Sequence, residues 1–349
     1  LVGRAKRATA TAAGLLPGLV ALALLGMAAD AWAQSSGPRT AGAKAPATQS
    51  SVPQASAAQT AVPPPTPAPA ALSWQERSDI IGEMSTYVTK YEDTLPDIGV
   101  RFNIGFIELV AANPGVDPWV PGAGREIILP TAYILPDAPR RGIIVNLTEM
   151  RVYYFPKVGA PETHPIGIGR DDEAVTPLGI TQITRKAADP TWYPPASVRA
   201  EKPELPGVVP PGPDNPLGKY AFYLGFPLVR MHGTNKPYGV GRRVSHGCIR
   251  MYPDSIEHLY QVVPVGTQVN VIDQPIKFGW WQGDLYIEVS PSKHQADELE
   301  TQKVLIPDLP EGLLDLATKA LGDQADRLDL GTLLQAGIER RGYPIRITY

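Results

Sequence analysis

The stretch Val240-Gly241-Arg242-Arg243-Val244-Ser245-His246-Gly247-Cys248-Ile249-Arg250-Met251 holds the only cysteine of the chain, and Met231-His232-Gly233-Thr234-Asn235 runs ahead of it. The separation of 248 − 232 = 16 residues leaves room for a loop that returns His232 to the thiol, whereas His246 is two residues away. A free thiol with a pKa of about 8.5 is only a few per cent thiolate at neutral pH, so a cysteine nucleophile needs a base, a cation or a helix N-terminus beside it. Two histidines, Arg242, Arg243, Arg250 and the start of a helix after Pro253 provide that environment. Two other readings use the same residues. One is an inert buried thiol with the histidines as loop side chains. The other is a zinc site of Cys248, His232 and His246 with an open fourth position. Flanking the thiol with Gly247, His246 and arginines is a poor way to bury it, which favours the reactive reading.

Outward from this stretch the pattern is β-rich. Ile143-Ile144-Val145-Asn146-Leu147 and Arg151-Val152-Tyr153-Tyr154-Phe155, joined by Thr148-Glu149-Met150, read as a hairpin. Further β-branched and aromatic runs lie at 163–168, 179–184, 221–226 and 268–272, bounded by Gly and Pro. One helix intervenes: Ile256, Leu259, Tyr260 and Val263 fall at i, i+3, i+4 and i+7 after Pro253 and Asp254. Residues 141–273 thus form a mainly β domain with long Pro-rich loops, the longest at 187–218. Beyond it, 274–349 is an extension of undefined role: a strand pair around Trp280-Trp281 and 285–289 turned at Gln282-Gly283-Asp284, then helical stripes at 313–321 and 328–338.

The whole chain has 349 residues, 32 Lys+Arg against 35 Asp+Glu, 43% hydrophobic residues and 38 prolines. Length and composition allow about two domains plus linker, and the near-neutral charge offers no basic stripe for nucleic acid. Arg4, Lys6 and Arg7, the apolar stretch 19–29 and Ala31-Trp32-Ala33 have the layout of a secretory signal peptide over 1–33. The other reading, an uncleaved anchor, needs roughly 18–20 apolar residues to span a bilayer. Residues 34–72, almost all Ala, Pro, Ser, Thr, Gln and Gly, read as an extended tether. The expected mature protein is exported, periplasmic or wall-associated, and has no transmembrane segment. Next comes a small β-α-α-β unit over 84–131, with Leu95, Ile98 and Phe102, then Ile107, Val110 and Ala111, at helical spacing.

His-Gly-Thr-Asn followed by Ser-His-Gly-Cys-Ile-Arg-Met resembles the signature of the L,D-transpeptidase catalytic domain, the cysteine enzymes that cross-link or modify peptidoglycan. The likeness extends to Thr176-Pro177-Leu178-Gly179 and to Pro190-Thr191-Trp192-Tyr193-Pro194-Pro195. It implies a β-sandwich-type catalytic domain with Cys248 as nucleophile, His232 as general base and the Gly233 carbonyl orienting the imidazole. It also implies an oxyanion hole from backbone amides around His246, Gly247 and Cys248, with Arg250 and His246 lining the donor site. Ser245 either hydrogen-bonds a catalytic histidine or shapes the loop, and Arg250 clamps a carboxylate or pairs locally with Asp254. The implied reaction releases D-alanine from a stem tetrapeptide and passes the acyl group to an amine of another stem, to an envelope-protein lysine or to water. It needs no metal or organic cofactor, because the thioester stores the energy of the cleaved bond.

Tyr87 followed by Asp93-Thr94-Leu95, Ala112-Asn113-Pro114 and the closing run from Pro121 to Pro130 resemble a LysM domain, which implies binding to peptidoglycan glycan strands. Two other functions stay open on sequence alone: a wall-binding protein whose thiol is vestigial, and a thiol hydrolase that only trims. His164 and His294 read as solvated, and His258 as a packing or surface residue. Tyr193, Tyr238 and Trp192 read equally as groove or core.

Overall fold

The computed structural model describes residues 78–170 and 175–349; the expected export signal and tether lie outside the described residues. The chain enters through β1 (Ile80–Gly82), β2 (Ser85–Val88), α1 (Leu95–Phe102), α2 (Phe106–Ala112), β3 (Glu126–Leu129) and β4 (Ala132–Ile134). β2 pairs antiparallel with β3, which gives the expected β-α-α-β order, and β1 pairs with β4 outside it. Local chemistry sets these limits. The Thr94 side chain accepts from the Asp97 amide at the start of α1, Pro96 occupies its first turn, and Asn103 at φ 57 ends it and redirects the chain into α2. The Asp93 carboxylate ties the preceding loop by accepting from the Lys90 amide (2.7 Å) and the Tyr87 hydroxyl (2.9 Å). Leu95, Ile98, Ile107 and Leu109 bury into the same hydrophobic cluster as Ile166, Met231 and Ile249 of the neighbouring sheet. A unit of ~45 residues is marginally stable by itself; here it shares the larger domain's core.

The next elements are β5 (Gly142–Asn146), β6 (Arg151–Phe155), β7 (Glu162–Gly169), β8 (Gly179–Ala188), α3 (Ala196–Glu201), β9 (Tyr220–Leu224), β10 (Arg230–His232), β11 (Arg243–Ser245), β12 (Ile249–Met251), α4 (Pro253–Val262) and β13 (Gln268–Ile272). They form one sheet in the order β11-β7-β12-β10-β9-β8-β13-β5-β6, and β6 also pairs with β7. That last pairing closes every strand but β11 into a ring. The mainly β domain expected from the sequence is thus built from one continuous sheet that curls until its ends meet. The hairpin β5–β6 and the helix α4 stand where the sequence predicts them. Ile256, Leu259 and Val263 are buried, and Tyr260 stacks on Phe222 at 6.0 Å.

The C-terminal part comprises β14 (Ile276–Trp281), β15 (Asp284–Val289), α5 (Lys293–Gln302), α6 (Leu313–Leu321), α7 (Leu330–Glu339) and β16 (Ile345–Arg346). Gln282 (φ 51) and Gly283 (φ 86) both take the left-handed conformation that a two-residue hairpin turn requires. Trp280, Leu285, Ile287, Leu313, Ala317 and Leu333 make a second, smaller core. α5 is absent from the sequence reading because its stripe is weak and charged. Its legible signal is the cap Ser292, whose side chain accepts from the Gln295 amide while Gln295 reaches back.

A buried network of charges clasps these parts together. Arg151 pairs with Glu108 of α2 at 2.7 Å and lies 3.8 Å from the Tyr133 ring centroid. Lys277 of β14 pairs with Glu149 (2.8 Å) and Glu288 (2.7 Å) and donates to the Ile134 carbonyl (2.7 Å) and the Tyr153 hydroxyl (2.9 Å). Removing one partner of such a set leaves uncompensated buried charge, so Lys277→Met should lower unfolding free energy by about 3–5 kcal/mol in urea titration. Burial, opposed by Lys277 and reinforced by the like charge of Glu149, pushes the Glu288 carboxyl up from 4.5 to about 8. The folded protein thus holds a proton that the unfolded chain releases. The contribution of Glu288 is complete below about pH 4.5 and is lost as pH rises through about 8. Thermal melts of the wild type should show this fall across that window, and Glu288→Gln should flatten it.

Candidate active site

β10 and β12 lie side by side in parallel, with Met231 opposite Ile249 and His232 opposite Arg250. Alternate side chains on a strand point to opposite faces. Met231, Ile249 and Met251 fill the core at 0% exposure, so Arg230, His232, Cys248 and Arg250 face the other way, and all four line one cleft of about 270 Å³. Val175, Pro177, Trp192, Val198 and Leu228 supply apolar wall.

His232 is buried, and its Nδ1 lies 2.5 Å from the Gly233 carbonyl oxygen. That carbonyl can only accept, so Nδ1 carries the proton and Nε2 keeps its lone pair. Burial pushes the imidazole down from 6.5 to about 3; the Gly233 and Leu217 carbonyls oppose the shift, while Arg250 and Arg230 add to it. His232 is therefore a neutral acceptor throughout the physiological range. Cys248 is half-buried, with Sγ 3.5 Å from the Leu228 carbonyl oxygen.

The turn around Cys248 is held from behind. Gly247 takes φ 88, the left-handed region that favours glycine. Its carbonyl accepts from the buried Thr176 hydroxyl at 3.2 Å, and Thr176 Oγ1 also accepts from the Gly169 amide at 3.0 Å. In a trans peptide the carbonyl and the following N–H point in opposite directions, so fixing the Gly247 oxygen on Thr176 turns the Cys248 N–H away from the interior. Ser245 is buried and donates to the Cys248 carbonyl at 2.5 Å, so its hydroxyl shapes this turn. Thr176 gives no role signal in the sequence beyond its place in Thr-Pro-Leu-Gly.

Arg250 has no carboxylate partner among the described residues. Asp254, the alternative partner, lines a different cavity with Asn103, His164 and Ser255. Burial lowers the Arg250 pKa, and the nearby Cys248 sulfur is the charge that opposes this.

Several expectations are corrected by geometry. Arg242 stacks on the Phe106 ring at 3.7 Å and pairs with Glu300 at 3.2 Å, and the charges felt by Arg243 are Asp273 and Asp297, so neither activates the thiol. The first turn of α4 opens on the cavity of Asn103 and His164, and β12 separates it from Cys248. His164 is not solvated: Nδ1 lies 3.1 Å from Ser255 Oγ and 3.2 Å from Asn103 Nδ2, and burial pushes it down to about 4. His294 is exposed beside Glu298, as expected, and His258 pairs at the surface with Glu162. Trp192 lines the cleft, whereas Tyr193 is exposed and Tyr238 bonds Asp97 at 2.5 Å. His246 lines the cleft, but its Nε2 contacts Arg170 (2.7 Å) and Glu201 (3.0 Å). The donors of the alternative zinc site are thus not gathered on one point, and among the described residues no cluster of three His, Cys, Asp or Glu could hold a metal. No helix of the described residues is long and apolar enough to cross a membrane.

A thiol, a neutral imidazole of fixed tautomer, an outward backbone N–H and an uncommitted guanidinium in one cleft are the parts of nucleophilic acyl transfer. Residues 140–271 match the YkuD family, the L,D-transpeptidase catalytic domain. Probable L,D-transpeptidase ErfK/SrfK of Salmonella typhimurium is 38% identical over 283 residues, which cover 78% of this chain and 89% of that protein. Probable L,D-transpeptidase YcfS of Escherichia coli is 44% identical over 209 residues, covering 57% of this chain and 65% of that one. An Enterococcus faecium L,D-transpeptidase of solved structure, the C442S mutant, aligns over 42% of this chain and 55% of its own at 22% identity and a TM-score of 0.30. The chain belongs to the L,D-transpeptidase family of enzymes.

Because His232 is pushed down to about 3 rather than 6.5, the rate of Cys248 alkylation by iodoacetamide should show no inflection near pH 6.5 in a stopped-time pH series. A step there would mean a solvated, ordinary imidazole.

Proposed function

We propose that this chain is a peptidoglycan L,D-transpeptidase that acts on stem peptides through Cys248. The observation that carries the reading is the convergence of Cys248, His232 and Arg250 on one cleft, in a chain that covers 89% of a probable L,D-transpeptidase. His232 Nε2 takes the thiol proton as sulfur attacks the carbonyl that follows the third residue of a tetrapeptide stem. The oxyanion is met by the outward N–H of Cys248, where a fixed donor is worth most because it needs no reorganisation. The intermediate collapses with cleavage of the C–N bond, and the imidazolium returns its proton to the departing D-alanine amine. An acceptor amine then attacks the thioester, gives its proton to His232, and the thiolate leaves and is reprotonated. Gly233 holds the imidazole, Gly247 and Ser245 hold the turn, and Arg250 and His246 face the donor.

The 84–131 unit fits a LysM-like role toward glycan strands, with the aromatic Tyr91 and Trp119 exposed for stacking. The 1–33 and 34–72 segments fit export to the periplasm or wall and reach toward it. A stem amine or an envelope-protein lysine would serve as acceptor.

Purified protein given disaccharide-tetrapeptides should release D-alanine and form cross-linked dimers by mass spectrometry, and Cys248→Ala should do neither. Thr176→Val should lower the rate of D-alanine release by roughly 10²-fold, the scale of losing a fixed oxyanion donor, while Cys248 alkylation stays close to wild type. An active Cys248→Ala protein would overturn the assignment.

A further inference from the structure

Arg185 of β8, Tyr223 of β9 and Arg230 of β10 stand in one row across three paired strands: Tyr223 is opposite Arg230 on one side and Arg185 on the other. Phe222 and Leu224 point into the core, so alternation turns Tyr223 outward, to the face that Arg230 shares with His232. The Arg185 guanidinium carbon lies 3.6 Å from the Tyr223 ring centroid, and that of Arg230 lies 5.1 Å from it. The row begins in the cleft, where Arg230 is a wall residue beside Cys248, and ends at the exposed Arg185.

Two cations gathered on one ring repel each other. Among the described residues neither of these guanidiniums pairs with a carboxylate, whereas Arg101, Arg140, Arg151 and Arg242 each hold an acid. Arg230 donates one N–H to the Leu228 carbonyl at 3.2 Å, and its buried Nε has no hydrogen-bond partner among the described residues. The tyrosine face attracts both cations but does not neutralise them. An anion would relieve the repulsion and use the idle N–H groups, and the planar fork of a guanidinium matches a carboxylate.

On the L,D-transpeptidase reading above, we infer that Arg185 and Arg230, spaced by Tyr223, form a carboxylate subsite for the acyl donor and read the second residue of its stem. The donor class is a stem whose second residue is an acid linked onward through its side chain, so that its α-carboxylate stays free. Arg230 stands two residues along β10 from His232, roughly 7 Å at the rise of a strand. The free α-carboxylate lies about seven bonds from the attacked carbonyl carbon, roughly 8 Å in an extended chain. The carboxylate of the departing D-alanine is only about three bonds from that carbon, roughly 4 Å, too near to reach the row. A carboxamide in place of the α-carboxylate keeps the shape of the stem and loses the charge that the row would bind.

The test is the kinetics of D-alanine release, followed by mass spectrometry, from two tetrapeptides that differ only at the second residue: D-isoglutamate in one, D-isoglutamine in the other. Wild type should show a KM roughly tenfold lower for the acid, the scale of one hydrogen-bonded charge pair. Arg185→Gln should erase that difference, with the loss falling on KM and not on kcat. Arg185→Lys, which keeps the charge, should retain part of the preference. A merely structural role of the stack would move both peptides together. Equal KM values for the two peptides in wild type, an unchanged preference in Arg185→Gln, or an effect of that substitution shared by both peptides would overturn the proposal. Release of D-alanine from neither peptide by wild type would instead overturn the transpeptidase reading and this proposal with it.

Discussion

The parallel pairing of β10 with β12 is the constraint on which the site depends. Antiparallel neighbours can be joined by a tight turn, but parallel neighbours need a crossover of a dozen residues or more. The 248 − 232 = 16 spacing of histidine and cysteine is that crossover. Once it is made, strand alternation leaves no freedom. With Met231, Ile249 and Met251 in the core, the imidazole, the thiol and the Arg250 guanidinium must share the opposite face. Sliding β12 by one residue would bury Arg250 and turn the core methionine out, so the hydrophobic core itself holds the catalytic register.

The crossover is shaped by the N-terminal unit. The Phe106 and Ile107 amides, at the start of α2, donate to the Val240 and Gly241 carbonyls at 3.3 and 3.2 Å. Gly241 has φ 77, and a Cβ on it would come within 2.1 Å of the Phe106 nitrogen, so the close approach requires glycine there. Arg242 then lies across Phe106 and Trp119, and Tyr238 reaches Asp97. Arg242, which looks like an activator in the sequence, is used mainly to lock this joint. Glu108 joins the same α2 to Arg151 deep in the sheet, so the helix pair is held at both ends.

What the sequence reveals follows from the range of the interactions. The β5–β6 hairpin, α1, α2 and α4 are legible because their periods and caps are local, and the Ser-His-Gly-Cys run is legible because its chemistry is compact. β10, β11 and β12 have only three residues each, too few to show a period, and two of their pairings are parallel partners far away in sequence. His164 is misread for the same reason: its burial comes from Asn103 of the N-terminal unit and Ser255 of α4, neither of which its neighbours announce. The ring closure by β6 and β7 depends on the curl of the whole sheet. Thr176 acts through two bonds to distant backbone, at Gly169 and Gly247, and a lone Thr carries no pattern to find.

The electrostatics of the cleft divide the work between two groups. A histidine exposed to water takes up a proton as pH falls through about 6.5 and is then no longer a base. Here burial and the charges of Arg250 and Arg230 disfavour the imidazolium, so His232 remains a base. The cost is that His232 cannot hold a proton for long in the resting site. Arg250, which senses the Cys248 sulfur as its main opposing charge to burial, is placed to offset the negative charge that appears when the proton leaves. In the proposed mechanism, proton acceptance and charge compensation reside on different residues of neighbouring strands, His232 opposite Arg250 in the same register. Each can do its part only while β10 and β12 stay paired.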